Sequence, residues 1–162
     1  MYRRSEFYRY RSGFLGFTLI ELMLVLGLLA ALGMLAQPIY QDYVERGHQL
    51  QAQADLLACA QRLQRLSLHR YSYSGHADSD GDGLGDADAG PIAASVCPHL
   101  YSRFSHYVVT VRSTRDEFEL RATPQAGIDH RGALSLDHVG VRRWDADNDG
   151  RFAEHELQWP LS

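Results

Sequence analysis

The sequence predicts an α+β fold: a long N-terminal helix, its first half of membrane length, packed on a roughly four-stranded antiparallel sheet. Three observations predict it. Residues 17–36 read FTLIELMLVLGLLAALGMLA, twenty residues with one charge, which is the span a bilayer core demands of a helix. Leu56, Leu57, Ala60, Leu63 and Leu66 recur at spacings of three and four, one apolar stripe on a helix over residues 41–70. The stretch from 106 to 144 then turns to β-branched and alternating patterns, so a helix is followed by a run of strands.

Four arginines (Arg3, Arg4, Arg9 and Arg11) precede the apolar run and none lies within it. The positive-inside rule places residues 1–16 in the cytoplasm and those after 40 outside. A cleaved secretory signal has a shorter apolar region with its small-residue cut site behind it. Here the notable boundary, Gly16-Phe17, lies in front. Glu21 lies inside the apolar run, where a carboxylate costs a few kcal/mol and is usually functional or paired. Gly33 and Pro38 flank the exit of the run. Pro removes an amide donor and Gly weakens a helix, so a kink or local melting is expected there in a packed assembly.

Residues 72–95 are rich in Ser, Gly, Asp and Ala without periodicity, and read as a loop. Strands follow at 106–111, then at 118–122, where Phe118, Leu120 and Ala122 alternate with charged residues. Leu134, Leu136, Val139 and Val141 continue the pattern toward Trp144, with a turn at Asp137, His138 and Gly140. Three segments result: a leader at 1–16, a hydrophobic helix at 17–40 and an extracytoplasmic body at 41–162.

The formal net charge is −4, and the basic leader leaves the rest of the chain more acidic still. An acidic body argues against a nucleic-acid groove, which wants a basic stripe. The two cysteines, Cys59 and Cys97, both follow the apolar run, so export would let them pair. Closing a loop of about 39 residues stabilises a fold by roughly 4 kcal/mol on the chain-entropy model.

GFTLIEL at residues 16–22 resembles the type III signal of type IV pilins and pseudopilins: Gly before the cut, Phe after it, and an acid five residues into the mature chain. QPIYQDYV at 37–44, Cys97-Pro98, ATP at 122–124 and GALSLDHVGV at 132–141 extend a looser similarity to PilE-like minor pilins. The resemblance implies cleavage between Gly16 and Phe17 by a prepilin peptidase, and methylation of the new Phe17 amine. It also implies that Glu21 of one subunit pairs with the Phe17 amine of a neighbour in a filament. Opposite charges in a low-dielectric setting make that pairing electrostatically sensible. The fold implied is the pilin fold. The expected partners are other pilins, the peptidase and the bacterial inner membrane, with later display on the pilus surface. Major pilins commonly carry a C-terminal disulfide, and this chain has no cysteine beyond Cys97, so its C-terminus must be held otherwise.

DADNDGRFAEHE at 145–156 fits the twelve-residue calcium loop. Asp145, Asp147 and Asp149 stand at positions one, three and five, Gly150 at the turn, and Glu156 at twelve. Arg151 at position seven offers its carbonyl. Such hard oxygen ligands suit Ca²⁺. A second candidate, DSDGDGLGDAD at 78–88, sets out Asp78, Asp80, Asp82 and Asp86, but position twelve is Ala89, which cannot ligate. Calcium is therefore expected at the first loop and more weakly at the second.

The sequence carries no HExxH pair, no Gly-x-Ser-x-Gly elbow and no phosphate-cradling Gly loop, so no enzyme is expected. The expected role is a minor subunit of a type IV pilus, priming assembly and supporting adhesion or twitching motility. The alternatives are a type II secretion pseudopilin and a calcium-dependent adhesive module displayed on the pilus.

Overall fold

A computed structural model describes residues 17–101 and 106–160. The expected leader, with Gly16, lies outside them. The chain divides into two compact units, residues 1–40 and 41–162. Helix α1 runs from Leu19 to Arg70. Thr18 opens it, its hydroxyl accepting the Glu21 amide at 3.3 Å. His69 and Arg70 stand in the last turn, where cations complement the helix dipole. Tyr71, at φ 53°, ends the helix in the left-handed region, its amide reaching the Ser67 carbonyl at 2.7 Å. The helix is uninterrupted at Gly33 and Pro38. A kink at those residues stays an expectation for the assembled filament.

In the second unit α1 lies on a five-stranded antiparallel sheet: β1 (Ala89–Pro91), β2 (Tyr107–Ser113), β3 (Phe118–Pro124), β4 (Leu134–Asp137) and β5 (Arg142–Trp144). The strands are ordered as they occur in the chain. Every pairing is a direct antiparallel neighbour. A short helix α2 (Pro98–Tyr101) precedes β2. Ala52, Leu56, Cys59 and Leu63 of α1 meet Val109, Val111, Leu120 and Leu136 of the sheet in one buried core. The alternation read in β3 is the pleat itself, and β2 likewise buries every second side chain.

The fifth strand corrects the expected count of about four. Ala89-Gly90-Pro91 has neither β-branching nor alternation, so nothing in it announces a strand. Its partner makes it one: Ala89, Gly90 and Pro91 pair with Arg112, Val111 and Thr110. Pro91 is tolerated because β1 is an edge. Gly90 sits at φ 148°, a backbone conformation that side-chain-bearing residues rarely adopt. The expected loop is further stitched by bridges from Ala77 to Ala87 and Ile92.

Candidate functional site

Residues 19–34 of α1 are apolar apart from Glu21 and are exposed. Phe17 is 82% exposed, and Leu22, Met23, Leu24, Leu28 and Leu29 are all exposed. A helix with no polar face needs lipid or other helices around it. By length and composition it suffices to cross a membrane. Glu21 lies in its first turn, exposed, one turn from Phe17.

Cys59 of α1 and Cys97, just before α2, form a disulfide with both residues fully buried. Their Cα atoms are 5.6 Å apart, within the range a disulfide spans. The bond ties the helix to the segment leading into the sheet.

In the C-terminal loop, carboxylate oxygens of Asp145, Asp147 and Asp149 lie within 4.8 Å of one another. Asp145 is buried, and its two oxygens accept the Asp149 and Gly150 amides, both at 3.0 Å. Burial pushes its carboxyl up, the two amides oppose that, and the charges of Asp149 and Glu156 add to it. Glu156 is buried and takes the Ala153 and Ala146 amides, each at 2.8 Å. Those amides, Ala153's first, hold its carboxyl below the usual range. It closes the base of the loop but does not join the three aspartates in their cluster. Arg151 is exposed. Its amide is held by Asp149 at 2.7 Å. Asn148 (φ 58°) and Gly150 (φ 82°) make the sharp turn.

The loop 78–88 is built alike at its start. Asp78, Asp80 and Asp82 cluster within 4.8 Å, and buried Asp78 accepts the Gly81 and Gly83 amides at 2.7 and 2.9 Å. Asp86 does not join them. Its carboxylate takes the Ser79 amide and hydroxyl at 2.9 and 2.7 Å, which hold its pKa low. Asp88 accepts the Gly75 amide at 2.8 Å.

With no second disulfide, side chains hold the C-terminal segment. The Trp159 indole donates to the Ser135 carbonyl at 3.1 Å, and the Arg142 guanidinium lies 5.0 Å over its ring. Arg121 of β3 donates to the Gly150 carbonyl at 3.1 Å and stacks on Phe152 at 5.0 Å. The Asp145 amide reaches the Ala133 carbonyl at 2.9 Å. Gly132, at φ 70°, is required beneath it, since a Cβ would meet the Asp145 carbonyl oxygen at 1.8 Å. A groove of about 560 Å³ runs beside Trp159, between Leu50, Val141, Arg142 and Leu157. Among the described residues, no His, Cys, Ser or carboxylate lines it.

Sequence reasoning missed a polar seam between α1 and the segment after β3. Arg131 ion-pairs with Asp42 and with Glu45, the latter at 3.1 Å, and His130 meets Glu45 at 2.9 Å. The Arg131 hydrogen bond holds the Asp42 carboxyl below its usual value. Beside it, the His48 and His106 rings stack with centroids 3.6 Å apart. These pairs span dozens of residues, and no local pattern signals them.

No curated protein and no solved structure matches the chain. A family model described as "Type IV minor pilin ComP, DNA uptake sequence receptor" matches residues 38–132, more than half of the sequence. That span holds the body half of α1, the disulfide, the first aspartate loop and strands β1 to β3. With a long apolar-headed helix packed on an antiparallel sheet and a match of this extent, the chain belongs to this type IV minor pilin family.

Proposed function

We propose that the chain is cut between Gly16 and Phe17, methylated at Phe17, and held in the inner membrane by residues 17–40 as a single span. It then enters a type IV pilus through that helix as a minor subunit that primes assembly. The observation that carries this reading is the exposed apolar start of α1 on a minor-pilin body. Glu21 pairs with the Phe17 amine of a neighbour and sets register, because an unpaired carboxylate among packed apolar helices is costly. Gly33 and Pro38 are where the helix yields on packing. Mass spectrometry of the membrane-extracted protein is expected to give a methylated N-terminus at Phe17. Glu21→Ala is expected to leave processing intact and abolish recovery in sheared filaments. Normal recovery of the variant sinks the register role.

A calcium ion in the 145–156 loop fits the donors present. Asp145, Asp147 and Asp149 already converge, Arg151 supplies a carbonyl, and Glu156 closes the loop. A cation would favour the charged form of Asp145, whose carboxyl is pushed up first by burial and then by the charges of Asp149 and Glu156. In the 78–88 loop three aspartates converge, while Asp86 is engaged with Ser79. Calorimetry on the full chain in detergent is expected to show calcium binding that weakens at least tenfold on Glu156→Gln. Equal affinity in both proteins removes this site.

A second reading is contact with DNA, as in the family's description. The acidity that argues against it is concentrated. Residues 78–88 hold five Asp and no basic residue, and 145–156 hold five acids and one Arg. The rest of 41–162 has eleven Arg against eight acids. Gel shift of duplex DNA is expected to show binding that weakens with salt and strengthens when calcium fills the loops. No shift at low salt with calcium present ends this reading.

A further inference from the structure

We propose that the stacked pair His48–His106 is an acid-sensitive latch between α1 and the start of β2. His48 stands one turn after Glu45 on α1, and His106 immediately precedes Tyr107, the first residue of β2. The rings lie nearly parallel, 19° between planes and 3.6 Å between centroids. Tyr107 itself is buried in the core, so the stack closes the seam outside a core residue. Neutral imidazoles stack favourably, and a single proton is tolerated as a cation over a ring. Two protons set like charges face to face at contact distance.

The half-buried His48 ring and the exposed His106 ring are partly screened by water, but the charged groups nearby do little to offset the repulsion. On α1, Glu45 is the nearby carboxylate and favours a charged His48. One of its oxygens, however, is shared by His130 at 2.9 Å and Arg131 at 3.1 Å, both from the segment after β3. Asp42, one turn earlier still, is held by Arg131 and Arg46. On β2, burial pushes the Tyr107 hydroxyl up to about 12, so it stays neutral. Burial first, and the facing His106 second, hold the His48 imidazole below its ordinary value against the pull of Glu45. A folded-state value below the unfolded one favours the neutral ring. Stability is then full above about pH 6.5, the free histidine value. It is lost as pH falls from there through the lower folded value. The first residues of β2, paired with Thr123 and Pro124 at the end of β3, would loosen first.

The test is thermal unfolding of the full chain in detergent at pH 7.5 and pH 5.0. Wild type is expected to lose about 5 °C more than His106→Phe, which keeps a stacking ring and removes one titrating group. The other histidines act equally in both proteins, so the difference isolates the pair. In wild type, the His48 ring resonances are expected to titrate below 6.5, and in His106→Phe to move upward. Equal pH losses in the two proteins, or a His48 midpoint at or above 6.5 in wild type, overturn the latch. If His106→Phe fails to fold, His106→Gln serves the same comparison.

Discussion

Residues 78–88 and 145–156 start alike and close differently. Each gathers three alternating aspartates, and each buries the first, whose two oxygens take amides from the turn that follows. In the C-terminal loop Glu156 then returns to the base and holds Ala146 and Ala153. In the first loop the equivalent position is Ala89, locked opposite Arg112 in the β1 ladder. Asp86 turns to Ser79 instead. The difference teaches that alternating aspartates shape a turn by capping their own amides, with or without a cation. A closing carboxylate is a separate feature. Support differs too: the first loop is tied by the Ala77 bridges, the second by Arg121, Trp159 and Gly132.

The comparison breaks most readily at its anchors. Trp159→Ala is expected to cost about 3 kcal/mol of stability in thermal denaturation, since it removes a buried indole and its bond to Ser135. It should also raise hydrogen exchange over 145–156 and spare 78–88. Equal exchange in both loops contradicts separate support. Next in size, Asp145→Ala and Asp78→Ala should each cost roughly 2 kcal/mol, because each strands two loop amides. A large loss at one position only, read from the unfolding midpoint, denies the shared start. Smaller still, Glu156→Gln should weaken calcium binding about tenfold, or ~1.4 kcal/mol. Smallest, Asp86→Ala should change calcium affinity less than twofold, since its carboxylate serves Ser79. A tenfold loss there would mean that a cation pulls Asp86 into the cluster.

Much of the fold was legible. The stripe Leu56, Leu57, Ala60, Leu63 and Leu66 faces the sheet as its spacing predicts, with Leu56 and Leu63 fully buried. Phe118, Leu120 and Ala122 are buried on the helix side of β3. The pairing of Cys59 with Cys97 followed from the chain having two cysteines, both beyond the apolar run. Strand β1 was not legible, because Ala-Gly-Pro has no strand character apart from its partner β2. The first aspartates of both loops were readable as spacing, but their burial was not. Asp86 shows the limit of a motif: it stands at position nine by count, yet Ser79, seven residues earlier, claims the carboxylate.

The sequence by itself determined whatever is local or periodic. That covers the apolar span with Glu21 in it, the amphipathic continuation of the helix, the alternation of the strands and the two aspartate spacings. Each depends on neighbours within a few residues, where chain geometry dictates the outcome. Only the tertiary structure decided which distant groups meet. It set Arg131 on Asp42 and Glu45, His48 on His106, and Trp159 on Ser135. Those contacts join residues far apart in the chain, and packing of the helix on the sheet selects them.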